Sequence, residues 1–161
     1  MSRILIGGIG NIFEGDDAFG VEVVRHLSIK ALPQDVDLID FGIRGVDLAY
    51  ALTSGYDMVV LLDAAPCGEA PGTVSVVEPR RGKSEQIMVA HNLDPASVMR
   101  LISNAENACE KIVLVLCEPQ TLGGEDGVMG LSPPVAAAIG PASAAVERIV
   151  QSYVEEKRPP E

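Results

Sequence analysis

A chain of 161 residues, 47% of them apolar, has room for its own hydrophobic core, and we predict a single domain over residues 1–161. The net charge of −11 argues against nucleic acids and anionic membranes as partners. We find no apolar run long enough to span a membrane and no signal peptide. The spacing of Cys67, Cys109 and Cys117 indicates neither a disulfide framework nor a zinc site. Together these features predict a cytoplasmic protein.

The first predicted unit is a strand, a glycine-rich loop and a helix. The apolar run Ile4–Ile6 predicts a buried strand, and apolar residues recur at helical spacing as far as Leu27. Asp16 and Asp17 lie where the loop meets the helix, and one carboxylate is enough to cap a helix, which leaves the other to explain. A dinucleotide-binding loop would need a third glycine in the pattern G-x-G-x-x-G, and two aspartates there would repel a pyrophosphate.

The rest of the chain alternates strands with helices. We predict strands at residues 36–41, 57–62, 73–77 and 111–116, and helices at 46–53, from Asp94, and from Ser132 to about Val154 with a kink or break at Gly140–Pro141. Such alternation predicts a three-layer α/β/α sandwich around a mostly parallel five-stranded sheet. The 73–77 strand follows a short loop, so it suits an antiparallel edge, and the tail from about residue 155 is expected to be disordered.

Acidic residues follow three of these predicted strands. Asp17 follows the first strand, Asp40 lies near the end of the second, and Asp63 ends the third. Ligands of open α/β sheets bind beyond the carboxyl ends of the strands, and His91 can reach the same edge. Carboxylates with one imidazole suit a divalent transition metal. The alternatives are that Asp40 orders the loop after its strand, that Asp63 stabilises a turn, and that His91 is an ordinary surface residue.

These residues form a pattern that resembles the hydrogenase maturation endopeptidases, which trim the C-terminus of the large subunit of [NiFe] hydrogenase. The resemblance covers essentially the whole chain in the expected order. It rests on Gly8-Ile9-Gly10-Asn11, Asp16-Asp17-Ala18-Phe19-Gly20, Asp40 with its glycine loop, Asp63-Ala64, His91, Glu118-Pro119 and Gly130-Leu131-Ser132-Pro133. It implies a twisted five-stranded sheet between helices, which agrees with the strand count.

The resemblance also implies a metal site and a substrate. Asp17, Asp63 and His91 are the implied metal-contacting residues, and the metal is nickel that already belongs to the large-subunit precursor. The chain departs from the family pattern after the second strand, where Ile43 and Arg44 replace the usual Gly-Thr. Arg44 is therefore expected either to pair with an acid of the site or to face solvent.

Peptide hydrolysis also needs a nucleophile. The sequence has neither the Gly-x-Ser-x-Gly elbow nor the zinc-protease motif His-Glu-x-x-His, which leaves water as the attacking group. Either a metal held by Asp17, Asp63 and His91 polarises the carbonyl or lowers the pKa of water, or an aspartate such as Asp40 is the general base while nickel positions the substrate. The candidate catalytic residues are Asp17 and Asp40.

The resemblance predicts an endopeptidase that removes a C-terminal peptide from the nickel-loaded large-subunit precursor of a [NiFe] hydrogenase. One alternative is a non-catalytic metal-binding chaperone of the same fold, which would bind metal without shortening the precursor. Another is a small-molecule hydrolase or nucleotide-binding protein of Rossmann-like shape, which binding of NAD or nucleotides would distinguish.

Overall fold

A computed structural model describes residues 2–78, 109 and 111–161. Its five strands are β1 (Ile4–Ile9), β2 (Val36–Gly42), β3 (Met58–Ala64), β4 (Val74–Val77) and β5 (Lys111–Cys117). The α-helices of the described part are α1 (Phe19–Leu27), α2 (Gly45–Leu52) and α3 (Pro133–Glu156), and a short 3-10 helix (Gly15–Ala18) leads into α1. The helix predicted from Asp94 lies outside the described residues. Within the described residues, no helix is both long enough and apolar enough to cross a membrane.

The strands form one sheet in the order β2-β1-β3-β5-β4. β1 pairs in parallel with β2 and β3, β3 pairs in parallel with β5, and β4 runs antiparallel to β5 at the edge. The predicted fold class is confirmed, including the antiparallel edge strand. The carboxyl ends of β1, β2, β3 and β5 all lie on one side of the sheet, which we call the carboxyl edge.

A hydrophobic core covers each face of the sheet. Alternate residues of a strand point to opposite faces, so Ile4 and Ile6 pack with α1 and α3 while Leu5 packs with α2. The central strand β3 is buried along its whole length. A parallel sheet buried on both faces needs continuous apolar strands, which accounts for the runs visible in the sequence.

Two predicted boundaries were wrong. β1 continues through Gly7 and Gly8 to Ile9, because glycine leaves room for its neighbours: a Cβ on Gly7 would lie 2.8 Å from the Phe41 ring. The last helix is unbroken through Pro141 and ends at Glu156 rather than Val154. Pro141 cannot donate the helical hydrogen bond to the carbonyl oxygen of Ala137. Ala137 is exposed to water, however, and the buried face of α3 continues on both sides of Pro141.

Candidate active site

Close packing of α1 against β1 and β3 sets the position of Asp17. A Cβ on Gly20 would lie 2.1 Å from the Leu62 carbonyl oxygen, and one on Gly8 would lie 2.5 Å from the Gly20 carbonyl oxygen. Gly10 has a φ of 142°, and its Cβ would lie 1.7 Å from the Asp17 carbonyl oxygen. The glycines therefore let the start of the helix approach the strands, which brings the 3-10 helix and Asp17 to the carboxyl edge.

Asp17 and Asp63 form a buried pair of carboxylates. Their exposed fractions are 1% and 3%. One oxygen of Asp17 accepts a hydrogen bond of 2.8 Å from the backbone N–H of Asn11. Within the part of the chain that the structure describes, the other Asp17 oxygen and both Asp63 oxygens have no hydrogen-bond partner. Such buried acceptors are costly unless something else satisfies them, so this pair is suited to a cation or to a proton.

The electrostatics of the pair favour a proton on Asp63. Burial is the main cause that raises the pKa of Asp63 well above its ordinary value, and the charge of Asp17 raises it further. The backbone N–H of Ala64 lies near the Asp63 carboxyl group but outside hydrogen-bonding geometry, and it offsets only part of this effect. In the free protein, the ionised form of Asp63 is therefore disfavoured, and a nearby positive charge would favour it.

Asp16 is fully buried as well but has a different role. Its carboxylate accepts four hydrogen bonds, from the backbone N–H groups of Gln120, Thr121 and Ser132 and from the Ser132 hydroxyl. Burial acts to raise the pKa of Asp16, but these bonds outweigh it and hold the pKa below its ordinary value. Neither Asp16 nor Asp17 caps α1, which has no side-chain cap at its first turn. The capping interpretation was therefore wrong.

Asp40 lies at the same edge but is exposed. Asp40 on β2 pairs with Gly8 on β1, and Gly8 pairs with Leu62 on β3. Asp40 therefore lies two strands from β3, level with Leu62, the residue before Asp63. The carboxyl edge thus carries one solvent-accessible carboxylate, two strands from the buried Asp63. An exposed carboxylate can exchange protons with water, which is what a general base requires.

Arg44 holds the loop that follows Asp40. Its guanidinium donates hydrogen bonds to the carbonyl oxygens of Asp40 and Phe41 and forms an ion pair with Asp47 at 3.2 Å. Within the described residues, Arg44 therefore contacts the backbone of the loop and an acid of α2 rather than a carboxylate of the site. In this chain, Arg44 fixes the backbone that carries Asp40.

His91 lies outside the described residues, so its predicted place in the site is not tested. Residues 2–78, 109 and 111–161 contain no group of three or more His, Cys, Asp or Glu side chains that could hold a metal ion. Asp17 and Asp63 come together as the strand-end argument predicted. The described residues thus bring together two of the three predicted ligands.

The cysteines lack the features of a nucleophile. Cys109 and Cys117 are buried and Cys67 is exposed. Burial, helped by Asp16 and Glu118, raises the pKa of Cys117 to about 12. Burial and two nearby glutamates also raise the pKa of Cys67. The thiolate is the reactive form of cysteine, so both environments disfavour a thiol mechanism.

Sequence reasoning placed Asp17, Asp40 and Asp63 at the carboxyl edge but did not indicate the contacts of Asp16. The first three follow from strand ends, which are visible as apolar runs. The partners of Asp16 lie 104 to 116 residues away in the sequence, so no local pattern could indicate them. Only the resemblance drew attention to both segments, through Asp16 and Ser132.

Comparisons with known proteins agree on one family. The family model HycI, described as hydrogenase maturation protease, matches residues 21–151. Hydrogenase expression/formation protein HupD of Bradyrhizobium diazoefficiens is 33% identical over 87% of this chain and 73% of its own length. Hydrogenase 2 maturation protease of Escherichia coli is 30% identical over 87% of this chain and 85% of its own length.

A solved structure supports the same assignment. The hydrogenase maturating endopeptidase HybD from Escherichia coli superposes with a TM-score of 0.80 and 28% identity, over 94% of this chain and 93% of HybD. The likeness therefore extends over the sheet, the helices and the carboxyl edge. The chain belongs to the hydrogenase maturation protease family.

Proposed function

We propose that this protein is an endopeptidase that removes a C-terminal peptide from the nickel-loaded large-subunit precursor of a [NiFe] hydrogenase. The family to which the chain belongs supports a protease of hydrogenase maturation. The observation that carries the proposal is the buried pair Asp17 and Asp63 at the carboxyl edge, with three carboxylate oxygens that have no hydrogen-bond partner in the described part of the chain.

The proposed ligands of the precursor's nickel are Asp17, Asp63 and His91. The donor set fits, because carboxylate oxygens and an imidazole bind divalent transition metals. The three free oxygens of the two aspartates support this choice, since a cation would satisfy acceptors that the described residues leave unpaired. Nickel bound there would also remove the repulsion between the two carboxylates and so lower the pKa of Asp63.

For the hydrolytic step we propose that Asp40 accepts a proton from the attacking water. Asp40 is the exposed carboxylate of the site, and the hydrogen bonds from Arg44 to its own carbonyl and to that of Phe41 hold its backbone. A metal held by Asp17, Asp63 and His91 would supply Lewis-acid polarisation of the scissile carbonyl or of the water. Replacement of Asp40 by Asn is expected to lower kcat by about 100-fold or more, the usual contribution of a general base.

The chaperone alternative is not favoured, because the relatives with assigned roles include maturation proteases rather than metal carriers. The nucleotide-binding alternative has lost its main support. Gly8 and Gly10 are accounted for by their close approach to Gly20 and Asp17 rather than by room for a phosphate.

Mass spectrometry of the large subunit tests the proposal. Purified protein is mixed with nickel-loaded precursor and, separately, with the same precursor lacking nickel. We expect loss of the C-terminal peptide only from the loaded form. Asp63→Asn should abolish the product, whereas Asp57→Asn, at the opposite end of β3 and bonded to the backbone of Arg3, is the matched control and should cleave normally. No shortened product with wild-type protein would overturn the proposal.

A further inference from the structure

Asp16 joins two segments that are far apart in the sequence. One oxygen accepts bonds from the N–H groups of Gln120 and Thr121 at 2.8 and 2.9 Å and from the Ser132 hydroxyl at 2.8 Å. The other oxygen accepts a bond of 2.7 Å from the Ser132 N–H. These donors lie near the two ends of the loop between β5 and α3, residues 118–132, which we call the β5–α3 loop. A single buried carboxylate thus fixes both ends of that loop.

The middle of the β5–α3 loop is bound to the segment that precedes Asp16. The Gly15 N–H donates to the Val128 carbonyl at 2.8 Å, and the Val128 N–H donates to the Phe13 carbonyl at 2.9 Å. The Asp16 N–H itself donates to the Thr121 carbonyl at 2.9 Å. The loop is therefore held along its length to the chain that leads directly into Asp17.

These two segments carry exposed apolar side chains. Phe13 is 60% exposed, Val128 44% and Met129 68%, and we call these three residues the apolar rim. Of these three residues, Met129 also lines a groove of about 380 Å³, together with Ala18 and the charged side chains of Glu22 and Arg25. Ala18 directly follows Asp17 in the chain, so the groove is lined in part by the segment that carries Asp17. Apolar side chains that stay exposed on a loop beside a protease site are typical of a substrate contact.

We propose that Asp16 is a positioning residue, which holds the β5–α3 loop so that the apolar rim binds the polypeptide of the precursor beside Asp17. This inference rests on the proposed function. The occupant is a segment of the large-subunit precursor near the cleaved bond, because the rim lies on the segment that leads into Asp17 and on the loop hydrogen-bonded to that segment. Asp16 acts through the loop and does not touch the reacting atoms.

Steady-state kinetics with nickel-loaded precursor test the role of Asp16. Asn at position 16 keeps the size of the side chain but presents an N–H₂ group to donors, so at least one of the bonds is lost. We expect Asp16→Asn to raise KM about tenfold with kcat within about a factor of two, because binding is weakened and chemistry is not. Asp17→Asn should instead lower kcat. If the wild-type protein does not cleave the precursor, the proposed function fails rather than this inference.

Milder variants keep the test decisive if Asp16→Asn fails to fold. Ser132→Ala removes only the hydroxyl bond to Asp16 and should raise KM by a smaller factor. Ser143→Ala makes the same change in α3 at a buried hydroxyl that has no partner among the described residues, and it should leave KM unchanged. A KM equal to wild type in folded Ser132→Ala and Asp16→Asn would overturn the inference, as would a loss of kcat at unchanged KM.

The apolar rim has its own variant and control. Met129→Ser should raise KM about tenfold, because a large apolar contact with the precursor is lost. Ile29→Ser removes a side chain that is 84% exposed just after the end of α1, away from the carboxyl edge, and should not change KM. Equal KM values for both variants would show that the rim does not bind the precursor.

Discussion

At the scale of single residues, Asp16 and Asp17 are neighbours with different chemical environments. Asp16 accepts four hydrogen bonds, and its pKa is lowered, so it is a stable buried anion that organises a loop. Asp17 keeps one unpaired oxygen and faces Asp63, whose pKa is raised. The first arrangement stabilises the fold, whereas the second stores an unfavourable interaction that a bound cation would relieve.

Replacement of Asp63 by Asn, which cannot ionise, is expected to stabilise the free protein near neutral pH. Because the folded-state pKa of Asp63 is raised, the unfolded chain loses this proton first as the pH rises above about 4. The contribution of Asp63 to the free energy of unfolding is therefore present below that pH and falls as the pH rises towards the folded-state pKa. Urea unfolding of wild type and Asp63→Asn between about pH 4 and pH 8 measures the difference. Identical pH dependence in the two proteins would contradict it.

The cysteines are expected to be dispensable for catalysis. Their surroundings raise the pKa of Cys67 and Cys117, and a neutral thiol is a weak nucleophile. Replacement of Cys67, Cys109 and Cys117 together by Ala or Ser should leave cleavage of the precursor largely intact, as followed by gel shift of the large subunit. Complete loss of cleavage in a folded triple variant would point to a thiol mechanism.

At the scale of elements, the type and order of the described strands and helices could be predicted from apolar periodicity. The boundaries could not, because they depend on contacts between distant segments. Gly7 and Gly8 look like loop residues in the sequence, yet they continue β1 because Phe41 and α1 occupy the space beside them. Pro141 looks like a helix break, yet α3 continues because its buried face packs against the sheet.

The close packing of α1 against the strands predicts that a larger residue at position 20 lowers the free energy of unfolding. A methyl group there would lie 2.1 Å from the Leu62 carbonyl oxygen and 2.6 Å from that of Ile9, so the helix must move away. Gly20→Ala is expected to lower the free energy of unfolding by about 1–3 kcal/mol or more. Gly124→Ala is the matched control, since no described atom beyond its two chain neighbours lies within 4 Å of its Cβ, and it should change that free energy by about 0.5 kcal/mol or less. Urea denaturation measures both, and equal stability of the two variants would refute the packing argument.

At the scale of the whole molecule, the parallel sheet brings the ends of β1, β2 and β3 to one edge. The sequence predicts this edge because alternating strands and helices give parallel strands. It predicts Asp17, Asp40 and Asp63 at that edge for the same reason. It does not predict the attachment of the β5–α3 loop to Asp16, since a hydrogen-bonded buried carboxylate and an exposed one look alike in a sequence.

The central claim is that Asp17 serves the cleavage of the precursor rather than the fold. Asp17→Asn keeps the side-chain size and an oxygen that can accept the Asn11 N–H, so the free energy of unfolding should change by about 1 kcal/mol or less. The variant loses the negative charge that the proposed metal contact needs. Asp57→Asn provides the same substitution at the opposite end of the sheet.

The direct measurement is the initial rate at which folded Asp17→Asn cleaves nickel-loaded precursor, followed by intact mass of the large subunit. We predict that the rate is largely lost, while Asp57→Asn cleaves as wild type does. Cleavage by Asp17→Asn at the wild-type rate would contradict the account.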